Sequence, residues 1–471
     1  MAIVIDIEPS NYILCSTLIP LKFKVTEATA NTTNIVASCF YEDQTTSVEH
    51  QIGAKYRMSP SLTNTDEFLF DASEVFNSKT KYTLNDAPNS WKLGANSSGL
   101  SYEIWEDVAT WLVRVKFQRE YLDAVTGLIV LEVATTDSND FYIHEGSPEK
   151  NWLMQVVNSN GQSDSVFDYF NFNYVSGIRS KRFLTNYPIV KESGSLKRSV
   201  VTIHESEQFT LSFFALLTSL CGYQLKLSTY DSSGALFQTH TLTLTPDYNF
   251  SSIAVGFRDL QNSFTPSVAE GNVAGDYFAN VANYTVAIYA GTTVGTPCIY
   301  SQQTSTMFEF KVDRSCILND GYARFCFKNM LGGYDMITSR GEIIEKTKNK
   351  FEQFEKSLGF DSWTDAMAFG NSNWANENTR KFSIVTQAMK PEFAAHFAEM
   401  FSSTEVYFRQ KNESYWKVYD TDLIDDAELT PYKFYPIVIT AATQPTFNSS
   451  DQRTKLKFDF AMAVNQRNPR Y

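Results

Sequence analysis

The segment Leu21-Lys22-Phe23-Lys24-Val25 alternates apolar and basic side chains, and this alternation decides the fold class. Successive side chains of a β-strand point to opposite faces of the sheet, so a period of two creates one buried face and one solvated face. A helix would instead require apolar residues at intervals of three and four. The segment is therefore predicted to be a strand of an antiparallel sheet that covers a core with one face.

The same alternation recurs along the whole chain. It is found at Val113–Gln118, Tyr223–Leu227, Phe308–Val312 and Leu456–Met462. Turn-forming residues separate such segments, at Asn160-Gly161, Asp231–Gly234 and Asn319–Gly321. Many short strands with turns between them favour β-sandwiches over a single barrel. We predict a mainly β, multidomain protein built from antiparallel, Ig-like β-sandwiches.

One short helix is predicted within this β background. Lys390-Pro391-Glu392 places a proline in the first turn and a carboxylate beside the positive helix end. Phe393, Phe397, Met400 and Phe401 then form one apolar stripe at helical spacing. The strand Val406–Phe408 follows, so a small α insert near 391–402 is predicted in the C-terminal domain.

Two other predictions concern the same part of the chain. His396, within the predicted helix, is interpreted as a partly exposed surface residue. The charged segment Ile343–Phe354 is compatible with either a helix or a long solvated strand.

At 471 residues the chain is too long for one ordinary core, which indicates two to four domains. Pro188–Lys197 is typical of a connector, Ser263–Asp276 of a long loop, and a new region begins near Asp313-Arg314. We predict an N-terminal β-sandwich region at 1–188, a middle β-sandwich domain at 189–313 and a C-terminal β domain at 314–471.

Charge and composition exclude several functional classes. The net charge is −13 and no long block of Lys or Arg occurs, so sequence-specific nucleic acid is not expected as a direct partner. No apolar run approaches the roughly 20 residues of a membrane span, and the N-terminus lacks the pattern of a secretory signal. The aromatic fraction is 14%, which favours sheets and contact surfaces, although large core residues explain it equally well.

The cysteines and histidines do not form a recognisable metal or redox motif. No C-x-x-C is present, and no His lies at ligand spacing from a Cys. Most of the cysteines flank apolar residues and are interpreted as core residues of a protein made in a reducing cytoplasm, with a disulfide as the alternative. The residues are Cys15, Cys39, Cys221, Cys298, Cys316 and Cys326, and His50, His144, His204, His240 and His396.

Three segments resemble functional sites only weakly. Leu331–Asp335 has two adjacent glycines but no following Lys-Ser/Thr, so a turn is preferred to a phosphate loop. Asp420–Asp426 is acidic enough for calcium but lacks EF-hand spacing, so a solvated loop is preferred. Trp363 and Trp374, with Asp361 and Asp365, weakly resemble a glycan or glycosidase site, and the intervening Phe369–Asn373 is interpreted as a polar surface loop. We expect no catalytic residue, no cofactor and no metal site.

Short segments spread over most of the chain resemble, in the same order, virion proteins of Bacteroidetes phages. Lys181–Pro188 is similar to their Phe-Leu-Thr-Asn-x-Pro connector, and Phe325–Asp335 is similar to a signature ending in Gly-Gly-Tyr/Trp-Asp. Phe325 stands where that signature has Trp, and 340–380 matches poorly. The other matching segments are Pro9–Val25, Asp66–Ser73, Phe401–Tyr407, Tyr435–Thr440 and Leu456–Ala461.

The resemblance implies a ring-type tail-assembly protein of a crAss-like podovirus. Such proteins are structural and carry no catalytic residues to transfer. The implied partners are copies of the same chain in a cyclic ring, matched to a 12-fold portal, together with the portal and other phage tail proteins such as the muzzle. The implied location is the virion tail, after assembly in the host cytoplasm. The alternatives are a tail adhesin that binds glycans or a receptor, and an enzyme that degrades polysaccharide.

Overall fold

The structure is a computed structural model, and contacts divide the chain into two compact units. The first comprises Met1–Ala87, Trp91–Arg314 and Asn329–Asp335, and the second comprises Pro88–Ser90, Ser315–Lys328 and Met336–Tyr471. The predicted boundaries at 188/189 and 313/314 stay predictions. The structure describes residues 3–9, 12–15, 21–27, 31–43, 46–62, 64–80, 110–145, 183–191, 197–205, 207–214, 223–244, 250–257, 260, 278–290, 300, 302–303, 305–314, 323–355, 371–411, 432–443, 453–463 and 466–469.

The first unit begins with a sandwich of two sheets. One sheet has the order β1-β3-β6, and the other has the order β2-β10-β7-β4-β5, with β8 and β9 also paired to β7. Every pairing is antiparallel except that of β10 with β2. The elements are β1 (Val4–Ile7), β2 (Tyr12–Cys15), β3 (Lys22–Thr26), β4 (Thr32–Asp43), β5 (Val48–Met58), β6 (Glu67–Asp71), α1 (Ser73–Thr80), β7 (Thr110–Leu122), β8 (Ile129–Leu131), β9 (Thr136–Asp137) and β10 (Phe141–Glu145).

Aromatic side chains from facing strands form the core of this sandwich. The ring of Phe23 on β3 lies 5.7 Å from that of Phe117 on β7 and 6.1 Å from that of Phe141 on β10. Phe76 of α1 meets Phe141 edge-on at 5.7 Å. Burying each such side chain contributes about 1.5–3 kcal/mol. The alternating segment at 21–25 is confirmed as a strand, with Phe23 fully buried.

A second pair of sheets follows within the first unit. The larger sheet has the order β11-β12-β19-β17-β14-β15, with β18 on β17, and β13 pairs with β16. Phe209, just before β13, packs 5.2 Å from Phe310 of β19, and the Tyr284 hydroxyl donates a 2.8 Å hydrogen bond to the Val255 carbonyl. The strands are β11 (Val190–Lys191), β12 (Lys197–His204), β13 (Thr210–Phe214), β14 (Tyr223–Tyr230), β15 (Leu236–Leu244), β16 (Phe250–Ala254), β17 (Asn283–Ala290), β18 (Gln302–Gln303) and β19 (Met307–Asp313).

The predicted turn at Asp231–Gly234 joins β14 to β15. The Asp231 carboxylate accepts hydrogen bonds from the backbone N–H groups of Ser233 and Ala235, and Gly234 has φ +83°. An L-residue with a side chain rarely adopts that φ, so the glycine is required here. The Ser233 hydroxyl and these N–H groups hold the pKa of the Asp231 carboxyl below its usual value.

Apart from Tyr334 and Asp335 at the start of β21, which are assigned to the first unit, the second unit contains a sheet in the order β21-β20-β24-β25-β26-β23-β22, with β27 on β23. The elements are β20 (Ala323–Lys328), β21 (Tyr334–Ser339), β22 (Glu342–Glu355), β23 (Asn371–Val385), α2 (Pro391–Glu399), a 3-10 turn (Met400–Ser402), β24 (Val406–Lys411), β25 (Tyr432–Thr443), β26 (Lys457–Met462) and β27 (Gln466–Pro469).

This sheet folds over on itself at β25. Residues 432–436 of β25 pair with β24, whereas 437–443 pair with β26, and Pro436 lies at the change. A strand that switches partners in this way forms the corner of a sandwich. Consequently Phe325 of β20 lies 5.6 Å from Phe460 of β26, although β24 and β25 separate them in strand order. The predicted fold class, mainly β with Ig-like antiparallel sandwiches and a small α insert in the C-terminal region, is confirmed.

Two predictions about the insert and its surroundings are wrong. His396 is only 5% exposed, because α2 covers the core with a wide face that includes His396 as well as Phe397. Residues 371–373 of the predicted polar loop are the start of β23, where the backbone pairs with β22. Pairing with a neighbouring strand therefore overrides the low strand propensity of this Asn-rich segment. The ambiguous segment Ile343–Phe354 is part of strand β22.

Candidate functional site

Two segments singled out by the resemblance, the connector and the Gly-Gly signature, meet within the first unit. Asn329 begins the turn Asn329–Asp335, called here the Asn329 turn. Its side-chain amide donates a 2.7 Å hydrogen bond to the carbonyl of Leu184, 145 residues earlier in the chain. Its Oδ1 accepts hydrogen bonds from the backbone N–H groups of Leu331 and Gly333, each at 3.0 Å. One buried side chain thus holds both the turn and the connector.

Two glycines make the Asn329 turn possible. Gly332 has φ +81°, which a glycine adopts without steric cost. A Cβ on Gly333 would lie 2.6 Å from the Leu184 carbonyl oxygen, so a side chain does not fit there. The N–H groups of Leu331 and Gly333 already donate to Asn329, so they are not directed at an external anion. The interpretation as a turn, against a phosphate loop, fits this geometry, and the role of the turn is structural.

Among the described residues, exposed large aliphatic side chains are most concentrated in the hairpin formed by β7 and β8. Five large aliphatic side chains are exposed within the twelve residues Leu122–Val133, called here the apolar hairpin. Val125 at its tip is 92% exposed, and Leu128 is 65% exposed. Single exposed aliphatic residues are ordinary, but a concentration of them is typical of a surface that contacts another molecule. The five are Leu122, Val125, Leu128, Ile129 and Val133.

Hydrogen bonds hold the tip of the apolar hairpin in one conformation. The Asp123 carboxylate accepts from the Thr126 hydroxyl at 2.6 Å and from the Val125 N–H at 3.1 Å. The Gly127 N–H donates to the Asp123 carbonyl at 2.8 Å, and Gly127 has φ +69°. The Thr126 hydroxyl holds the pKa of the Asp123 carboxyl below its usual value. A surface that is ordered before binding loses less conformational entropy when it docks.

This hairpin is not among the sites predicted from the sequence, although a local signal exists. Asp123 and Gly127 bracket a turn, and the next four residues, 128–131, form an unbroken apolar run rather than an alternating one. A strand with one solvated face alternates, so an unbroken run after a turn predicts apolar side chains on both faces.

The other residues considered from the sequence are not brought together into a chemical site. Among the described residues, no group of three His, Cys, Asp or Glu side chains could hold a metal ion. Cys39 and Cys326 are buried free thiols, and burial raises the pKa of Cys39 to about 12. Trp374 lies in β23. Asp361, Trp363, Asp365, Asp420–Asp426, Cys221, Cys298 and Cys316 lie outside the described residues.

In the part of the chain that the structure describes, no helix is long and apolar enough to cross a bilayer.

His240 on β15 is expected to make stability depend on pH. It lines a small apolar pocket with Leu227 and Phe257, and burial lowers its pKa from 6.5 to about 4. Between these two values the unfolded chain binds a proton that the folded chain excludes, so the free energy of unfolding falls as pH decreases through this window. Urea denaturation across the window should show this decrease, and His240→Leu should flatten it. Equal slopes for the variant and the parent would contradict the assignment.

Comparisons with known proteins do not indicate a function for this chain. No protein-family model matches the chain, and no curated protein matches it. A solved structure described as "Crystal structure of calcium binding domain CBD12 of CALX1.1" is similar at 9% identity and a TM-score of 0.18. That similarity covers 66% of this chain and 100% of the other. A similarity of this size carries no argument about fold or ligand.

Proposed function

We propose that the protein is a structural subunit of a phage tail that assembles with copies of itself into a cyclic ring between the portal and the distal tail. The proposed location is the virion tail, after assembly in the host cytoplasm. The observation that carries the proposal is the apolar hairpin, which is ordered by its own hydrogen bonds and exposes Val125 and Leu128 to water. The phage tail is proposed as the location because short segments of the chain resemble phage tail proteins in the same order.

A protruding hairpin favours a ring over a two-fold dimer. We take the surface that receives the tip, at Val125, to be a recess elsewhere on the neighbouring copy, and a recess is a different surface from a tip. Contacts between two unlike surfaces are head-to-tail, and they form a closed ring when the rotation between neighbours closes. Rigid β domains suit this role, because they keep the angle between the two contact surfaces constant from one subunit to the next.

The Asn329 turn supports the same proposal in a different way. Two of the resembling segments, around Leu184 and around Asn329, are joined by a buried hydrogen bond. The two segments therefore share a structural role, which accounts for their presence in the chain. Segments that hold the fold together in this way fit a protein whose function lies in the contacts of its surface.

Introducing charge at the tip is expected to disrupt the assembly. In the double variant Val125→Asp/Leu128→Asp, two aliphatic contacts of about 1.5 kcal/mol or more each are lost, which weakens association at least ~100-fold. Light scattering coupled to size-exclusion chromatography should show an oligomer for the parent and mainly monomer for the variant. At a dilution where the parent is also monomeric, both proteins should have the same melting temperature, since these side chains are exposed in the single chain and only association adds stability to the parent.

Leu62→Asp provides the matched control. Leu62 is also a fully exposed leucine, in the loop between β5 and β6, and its replacement should leave the oligomer intact. If the double variant and the parent have the same mass, the apolar hairpin is not the assembly surface.

A further inference from the structure

Two aromatic rings on adjacent strands of the first sandwich form a corner. Tyr41 on β4 pairs with Val113 on β7, which places Trp111, two residues away, on the same side of the sheet. The rings of Tyr41 and Trp111 are 5.1 Å apart and nearly perpendicular, at 84°. His50 on β5 stacks against the Tyr41 ring at 5.1 Å. Tyr41 and Trp111, called here the aromatic corner, are only half-buried.

A cation already occupies the aromatic corner. Lys79, in the last turn of α1, places its Nζ 3.8 Å from the centre of the Tyr41 ring and 4.1 Å from that of Trp111. Both distances are within the ~6 Å range at which the negative face of a ring attracts a cation. Among the described residues, the Lys79 ammonium has no carboxylate within 4 Å. The two ring faces are therefore its principal described contacts.

A primary ammonium is not the cation that suits this corner best. It carries three N–H donors and is strongly hydrated, and ring faces replace that hydration poorly. A quaternary ammonium has no N–H to satisfy, and it presents methyl groups to both rings while keeping its charge. Perpendicular aromatic faces around such a group are the usual means of recognising it.

We propose that the aromatic corner formed by Tyr41 and Trp111 is a binding site for a quaternary ammonium group, which displaces Lys79. Lys79 is tethered beside the site and competes with the ligand as a group at millimolar effective concentration. Its release requires movement only of a side chain in the last helical turn. The site is independent of the apolar hairpin and of the ring, so it stands or fails separately from the proposed function.

Titration of the full chain with choline chloride, at constant ionic strength, tests the site. Calorimetry should show that Lys79→Met tightens choline binding about tenfold, because the tethered competitor is removed. Adding Trp111→Leu to Lys79→Met should weaken it at least tenfold again, since one of the two faces is lost. Lys55→Met is the matched control, because Lys55 is bonded to Gln118, away from the corner, and its loss should change nothing.

A neutral ligand of the same shape separates cation binding from simple apolar contact. The alcohol 3,3-dimethyl-1-butanol has a carbon in place of the choline nitrogen, and it should bind at least tenfold more weakly than choline. Equal binding of the two ligands, or no tightening by Lys79→Met, would overturn the proposal.

The parent chain provides a second measurement that does not require the Lys79→Met variant to fold. Saturation-transfer NMR should detect contact of the choline methyl protons with the parent, and Trp111→Leu should abolish it. A choline signal that is unchanged by Trp111→Leu would overturn the proposal as well.

Discussion

Replacing Asn329 with alanine is expected to lower the free energy of unfolding of the first unit by about 3–5 kcal/mol. The Asn329 side chain is buried and makes three hydrogen bonds, to the N–H groups of Leu331 and Gly333 and to the carbonyl of Leu184. The alanine variant leaves these backbone groups without that partner, and each buried polar group left unsatisfied costs about 1–3 kcal/mol.

Urea denaturation followed by near-ultraviolet circular dichroism measures this effect. A chain of two units can unfold in two steps, so the transition of the first unit has to be fitted separately. Asn64→Ala is the control, because Asn64 also bonds to a backbone N–H in a turn but is exposed, and its loss should cost less than about 1 kcal/mol. Equal effects of the two substitutions would show that the Asn329 turn does not hold the connector.

Replacing Phe325 with alanine is expected to destabilise the second unit by about 3–5 kcal/mol. Phe325 is fully buried, and its ring lies 5.3–6.4 Å from four other phenylalanine rings, on β24, β26 and α2. These rings come from both halves of the folded sheet and from the helix. Truncation therefore removes contacts with each layer and leaves a cavity.

The location of the effect is as informative as its size. Thermal and urea unfolding of Phe325→Ala should shift the transition of the second unit and leave that of the first unit in place. Val438→Ala, in the same unit but 55% exposed, should change stability by no more than about 0.5 kcal/mol. A small effect of Phe325→Ala would mean that the sheet does not close around this ring.

The strands were predictable because their signal is local. Phe23, Phe117 and Phe458 each lie in an alternating segment, and each is buried on the predicted face of a strand. The helix at 391–399 was predictable for the same reason, from its proline and its apolar stripe. A strand or helix face that must be buried gives a periodic pattern of apolar residues in the sequence, whatever that face packs against.

Features that depend on distant partners left no such trace. The bond between Asn329 and Leu184 joins residues 145 positions apart, and neither segment alone indicates the other. The predicted exposure of His396 is wrong because its burial depends on how much of α2 the sheet covers, not on the sequence of the helix alone. The sequence around Trp374 predicts a loop, because the strand there forms only by pairing of β23 with β22, and that pairing depends on both segments.

The candidate surface shows the same division. The turn of the apolar hairpin is local, and Asp123 and Gly127 are ordinary turn residues. The exposure of Val125 and Leu128 is not a local property, because it depends on whether other elements of the fold cover these side chains. Aliphatic residues in a sequence are expected to be buried, so an exposed set becomes visible only when the fold is known.

Negative-stain electron microscopy of the purified chain, combined with native mass spectrometry, tests the proposed ring most directly. The proposal predicts closed particles with rotational symmetry about a central opening, twelve-fold if the resemblance extends to stoichiometry. The mass should then be a whole-number multiple of 53.4 kDa. A chain that stays a 53.4 kDa monomer at every concentration, and that also fails to bind portal or other tail proteins, would contradict the proposal.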